Sequence, residues 1–131
     1  MSRDNVEVVK RYVAAWNAGD MNAVHEIQDP DVIVWPTTDW PEPGPYIGRE
    51  AVMRQLGRQR ETWDADALEL ISDFIETADR VVLRIIWRGA GHGPELNMEL
   101  TGVYTVREGK ITVFEFFWDH SKALKAVGLE E

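Results

Sequence analysis

The 131-residue chain contains no cysteine. Disulfides, thiolate catalysis and Cys-ligated zinc are therefore excluded, and a reducing cytoplasm is the expected setting. No apolar run approaches the roughly 20 residues that a membrane helix needs. Asp4, Glu7, Lys10 and Arg11 interrupt the start of the chain, where a signal peptide would be charged and then apolar. No membrane partner is expected. Basic residues are few: 14 Lys and Arg stand against 23 Asp and Glu, a net charge of −9. Nucleic acid binding rests on cations that neutralise phosphates, so it too is excluded. Arg54, Arg58 and Arg60 lie in one helical stretch and read as a solvated face. His25, His92 and His120 share no metal-ligand spacing, and no metal or other cofactor is expected. Repeats and low-complexity tracts are missing as well.

Aromatic side chains are abundant, with six tryptophans and four phenylalanines. Large flat rings suit a core, a subunit interface or a cavity for an apolar ligand. The length fits one domain, residues 1–131, with room for a genuine core.

Val6, Val9, Val13 and Trp16 recur at helical spacing in the opening segment. "NAGD" at 17–20 should end that helix, with Gly19 as the left-handed stop and Asp20 as the cap of the next. A short second helix carries Met21, Val24 and Ile27 up to "DPD" at 29–31. "VIVW" at 32–35 reads as a buried strand. Prolines 36, 41, 43 and 45 make the following stretch a stiff, irregular loop with Trp40 in its middle. A third helix spans 48–63, with Val52, Leu56 and Trp63 on one side. Strands are predicted at 67–76, 80–88, 96–107 and 111–118, joined by turns at "TAD", "GAGHGPE" and "REGK". A last helix runs from Ser121 to Val127 and stops at Gly128.

Helices first and long strands afterwards make an α+β plan, with helices on one face of a curled antiparallel sheet. Strand 111–118 is apolar on both sides: Phe114, Phe116 and Trp118 on one, Ile111, Val113 and Phe117 on the other. A sheet covered on one side only should show polar residues outward. A homodimer through the sheet is therefore expected.

The segments "NVEVVKRYVAAWNAGD" at 5–20, "DPDVIVW" at 29–35, "GPYIGREAV" at 44–52 and "VREGKITVFEFFWDHSKALKAVGL" at 106–129 resemble the SnoaL-like group of the nuclear-transport-factor-2-like superfamily. They run in the family's order over nearly the whole chain. The resemblance implies a cone-shaped curved antiparallel sheet wrapped around N-terminal helices, an apolar internal pocket for a small ligand, and dimeric assembly. It does not imply one reaction, so function must come from the site.

Three family chemistries can be compared with these residues. Ketosteroid isomerases use a carboxylate base with a Tyr and a protonated Asp as oxyanion donors. Tyr12 matches the tyrosine, but the base position falls at about Trp35 and the acid position at about Gly102. Limonene epoxide hydrolases resemble "LTGVYTVREGKIT" and the terminal aromatic-aromatic-Asp. Their Arg-x-Asp pair is missing, because Arg80, Arg84 and Arg88 are followed two positions on by Val82, Ile86 and Ala90. SnoaL-type polyketide cyclases use an Asp at the end of the last strand as general acid/base, which Asp119 matches. Their helper histidine has no counterpart near 102–105. On this resemblance Asp119 would move a proton on an apolar, carbonyl-bearing metabolite, with its pKa lifted by burial.

Each reading has a plain competitor. Asp119 sits two residues before a helical segment and can equally be its cap. His120 neighbours it, and strand neighbours point to opposite faces. Tyr12, Trp16, Trp35, Trp40, Tyr46, Leu56, Glu99, Tyr104, Phe116, Trp118 and His120 are the remaining candidates for ligand contact. For Glu99 the plain reading is a solvated strand position, and for Trp35, Trp40 and Tyr46 it is packing rather than a lid. Two functions stay open: a cofactor-independent isomerase, cyclase or hydratase, and a pocket protein that binds a ligand or partner and catalyses nothing.

Overall fold

The structure is a computed structural model that describes residues 2–38, 44–61, 65–91 and 93–129. Helix α1 spans Ser2–Ala18 and α2 Met21–Ile27. Between them the Gly19 N–H donates to Trp16 O at 3.0 Å and the Asp20 N–H to Ala15 O at 2.9 Å, with Gly19 at φ 73°. This pair of bonds closes α1 with a glycine in the left-handed region. Asp20 then accepts from the Ala23 N–H at 3.1 Å and starts α2. Both halves of the "NAGD" expectation hold.

Strand β1 (Gln28–Trp35) leaves α2 without a loop, and β2 (Tyr46–Ile47) follows beyond the proline-rich stretch. Helix α3 covers Arg49–Glu61. The predicted strand at 67–76 is two strands, β3 (Ala65–Leu70) and β4 (Ile75–Thr77). Long strands β5 (Arg80–Gly91), β6 (Gly93–Arg107) and β7 (Lys110–Phe117) follow, and then α4 (His120–Ala126). The β6–β7 turn places Glu108 at φ 52° and Gly109 at φ 77°, the two left-handed positions of a tight hairpin turn.

Among the described residues seven strands form one curved, unclosed sheet in the order β2-β1-β7-β6-β5-β3, with β4 also on β5. It is mixed rather than wholly antiparallel, because β1 runs parallel to β7. Hairpin connections force antiparallel neighbours, but β1 and β7 are separated by most of the chain and are free of that constraint.

The face towards α1 carries the main core. Val81, Leu83, Ile85 and Trp87 alternate inward along β5 and are buried against Val9, Tyr12, Val13 and Trp16 of α1. On β7 the pairing shifts from Thr105↔Val113 to Val106↔Ile111, which leaves Thr112 as an extra residue. That bulge reverses the alternation, so buried Ile111 and Phe114 share the inner face although their numbers differ in parity. Phe117 points the other way. It packs with Val82, Val103 and Ala123 in a second, smaller cluster under α4. Part of the outer face is thus covered by the chain's own last helix. Among the described residues no helix is long and apolar enough to cross a membrane.

Candidate functional site

Between α1, α3 and the inner face of the sheet lies a cavity that leaves about 90 Å³ open to the centres of water-sized atoms. One water needs roughly 10–15 Å³ of such space, so the cavity has room for more than one. Helix α1 contributes Tyr12 and Trp16, and α3 contributes Val52, Gln55 and Leu56. Val34, Pro36, Thr37 and Tyr46 close one end, and Leu68 of β3 lies on the wall as well. The floor is Ile85, Trp87, Leu100, Tyr104, Phe114 and Phe116.

The aromatic rings form one connected group. Tyr12 meets Phe114 at 5.1 Å and Tyr104 at 6.3 Å between ring centroids. Tyr104 stands edge-on to Phe114 at 5.6 Å and to Phe116 at 6.2 Å. Such edge-to-face contacts fix ring directions beyond simple burial. No charged side chain lines the cavity among the described residues. The polar side chains around it are uncharged among the described residues. The Gln55 carboxamide oxygen accepts from Arg58 Nη2 at 2.6 Å. The hydroxyls of Thr37 and Tyr104 are buried and have no partner among the described residues. Burial pushes the Tyr104 phenol well above its ordinary pKa of 10.0, so it stays protonated.

Six of the twelve sequence candidates converge here: Tyr12, Trp16, Tyr46, Leu56, Tyr104 and Phe116. Asp119 does not. Its Oδ1 accepts from the Ser121 N–H at 2.9 Å and from the Ser121 hydroxyl at 2.7 Å, which caps α4 in open solvent. Those two bonds hold its carboxyl below the ordinary value of 3.8, opposite to the upward shift that burial would cause. The capping reading of Asp119 describes its geometry.

The other candidates face away for related reasons. Trp35 pairs with Glu115 on the outer side of β1 and is 48% exposed. Trp118 is equally exposed, and its indole N–H donates to Thr38 O at 3.0 Å. Glu99 is an exposed ion-pair partner of Arg84. His120 opens α4 and shares a hydrogen bond of 3.1 Å with Thr101. Trp40 and His92 lie outside the described residues. Gly102, where the isomerase resemblance would put an acid, is crowded by Tyr104: a Cβ there would stand 2.8 Å from the phenol oxygen.

Several lining residues went unnoticed in the sequence. Trp87 continues the alternation Val81, Leu83, Ile85 and could have been found from it. Gln55 lies three positions after Val52 on the apolar side of α3, so a polar group in that stripe was a usable signal. Thr37 offered none.

The family model of the SnoaL-like domain matches residues 9–114. The chain belongs to the SnoaL-like family. Comparison with curated proteins finds no match. Among solved structures, an NTF2-like protein from Burkholderia pseudomallei superposes with a TM-score of 0.76 at 22% identity, covering 98% of this chain and 99% of that one. TerC, co-crystallised with polyporic acid, gives a TM-score of 0.77 at 21% identity over 95% and 97% of the two chains. A putative polyketide cyclase from Sinorhizobium meliloti gives 0.69 at 22% identity over 84% and 93%. At these identities the likeness concerns the fold. The SnoaL-like cone is thus present here with an aromatic cavity and with Asp119 turned out to solvent.

Proposed function

We propose that this SnoaL-like protein holds a flat, mostly apolar, carbonyl-bearing metabolite in the cavity between α1 and the sheet. The carrying observation is a cavity walled by aromatic and aliphatic side chains whose described polar groups are all uncharged. Apolar surface gains by leaving water for such a space, whereas an ionic group would lose its hydration there without a charged partner. The similarity in fold to TerC and to a putative polyketide cyclase supports the same ligand class.

To a cyclisation or isomerisation the cavity contributes confinement, which holds a reactive chain in one shape. The proton that such a reaction moves passes between substrate and water, since no charged side chain lines the cavity among the described residues. Asp119 plays no acid/base part in this reading, because its carboxylate is engaged in capping α4. The test is a thermal-shift screen of polyketide, terpenoid, steroid-like and quinonoid compounds, polyporic acid included, followed by turnover assays on the hits. A ligand at 100 times its Kd should stabilise the fold by about 2.7 kcal/mol. A screen in which charged, hydrophilic compounds win and apolar ones fail overturns the reading.

A second copy of the chain is proposed for the outer side of β1, β2 and β7. Ile33, Trp35, Ile47 and Val113 lie together there, with Ile47 66% exposed. An apolar patch of neighbouring strands needs cover. Light scattering should report a dimer at micromolar concentration, and Ile47→Lys should shift it towards monomer. A cytoplasmic setting fits a pocket protein without cysteine.

A further inference from the structure

Gln55 is a polar side chain in an apolar stripe. It lies on α3 between Val52 and Leu56, is 3% exposed and lines the cavity. Its Oε1 accepts from Arg58 Nη2 at 2.6 Å, one turn further along the helix. A guanidinium only donates, so this bond fixes which end of the amide is oxygen and which is nitrogen. Nε2 is left without a hydrogen-bond partner among the described residues. It is not sealed into the wall either: the Thr37 and Tyr104 hydroxyls are closed off, whereas Nε2 keeps accessible surface. Stability does not account for this arrangement. Arg58 is exposed, and a surface guanidinium finds partners in water. A leucine at position 55 would fill the stripe without leaving a donor unmatched.

We infer, resting on the pocket reading above, that Gln55 Nε2 donates to an acceptor oxygen of the ligand at the α3 wall, and that Arg58 is the positioning residue that aims it. With Oε1 engaged by Arg58, the amide offers N–H to the cavity. That favours ligands that accept a hydrogen bond over ligands that only donate one. The charged partner also strengthens the donor, because a bond accepted at Oε1 polarises the N–H groups. Arg58 is not part of the cavity wall and acts on the ligand through the amide. The oxygen of the ligand is thereby set against the helical side, and its apolar body lies against the aromatic floor of the sheet.

Calorimetric titration of the full chain with acetophenone and with ethylbenzene, which differ by a carbonyl in place of a methylene, tests the assignment. The ratio of ketone to hydrocarbon affinity should fall about 10-fold in Gln55→Leu, because a buried carbonyl loses its partner. Ethylbenzene binding should be kept. In Arg58→Met the amide is free to turn, and the ratio should fall about threefold. Arg58→Lys, whose ammonium also only donates, should restore it. A purely structural role would move Tm and both affinities together and leave the ratio alone. The side-chain N–H signals of Gln55, assigned by their loss in Gln55→Leu, should move further downfield with acetophenone than with ethylbenzene. A ratio that survives Gln55→Leu overturns the assignment while leaving the pocket reading intact. A ratio that falls in Gln55→Leu but not in Arg58→Met overturns the part given to Arg58. Failure of both compounds to bind the wild type overturns the pocket reading and the assignment with it.

Discussion

The side-chain amide of Asn17 is bonded to both backbone groups of Leu68: the Leu68 N–H donates to Oδ1 at 2.7 Å, and Nδ2 donates to Leu68 O at 3.0 Å. Leu68 sits on β3, the last strand of the sheet, and its own side chain lines the cavity. Asn17 therefore does for an open strand edge what a neighbouring strand would do, and it ties the end of α1 to the cavity wall. Asn17→Ala should cost about 1 kcal/mol in urea unfolding, since two partly solvated bonds are lost. Asn17→Asp should fare no better. The carboxylate keeps the acceptor but sets negative charge against a carbonyl oxygen and the C-terminal end of α1. Hydrogen exchange at the Leu68 amide should quicken in both variants.

Asp119 gives a prediction about acid. Its carboxyl is held below the ordinary 3.8, first by the Ser121 hydroxyl and then by the Ser121 N–H. A group depressed in the folded state adds stability in full above its unfolded pKa and loses it as pH falls from about 3.8 through the folded value. Melting temperatures of the wild type and Asp119→Asn should therefore converge as pH is lowered through that range. Asparagine still caps a helix but does not titrate there. Asp119→Ala should lose the cap at every pH. Ligand affinity and turnover should be unchanged in Asp119→Asn at neutral pH, and a collapse of turnover would restore the acid/base role.

At Gly102 the prediction concerns crowding. Added bulk would meet an aromatic ring rather than the end of a flexible chain. Gly102→Ala should therefore destabilise the fold by about 1–3 kcal/mol. In a Tyr104→Ala background the same change should cost much less, and the difference is the coupling that a double-mutant cycle measures. Additive effects would mean that the two residues do not meet.

Local punctuation was legible from the residues alone. Gly19 and Asp20 mark a helix stop and start because each uses a conformation or side chain that few residues supply, and "REGK" announced its turn in the same way. What stayed hidden depends on chain segments far apart. The extra residue at Thr112 shows no sequence mark, yet it decides which members of "ITVFEFF" face inward. Apolar residues on both sides of β7 suggested a partner subunit, but the fold of α4 back over Val82, Val103 and Phe117 accounts for part of that cover. Asp119 could be placed only once the end of β7 and the start of α4 were known. A carboxylate one residue before a helix is captured by its N–H groups whatever the pocket would have asked of it.

Regular alternation along β7 beyond the bulge makes adjacent phenylalanines separable. Phe116 pairs opposite Gly102 and lines the cavity, whereas Phe117 pairs opposite Thr101 and packs beneath α4. Both are partly buried, so truncation to alanine should lower stability in each case. The consequences for ligand should differ. Phe116→Ala widens the cavity and removes the ring that stands edge-on to Tyr104, so affinity for compact apolar ligands should fall and larger ones should be admitted. Phe117→Ala loosens α4 on the outer face and should leave the affinity of every ligand within about twofold of the wild type. Titration of both variants with one short and one extended aromatic ketone measures the contrast. Equal effects on binding would mean that the two rings do not lie on opposite faces of the sheet.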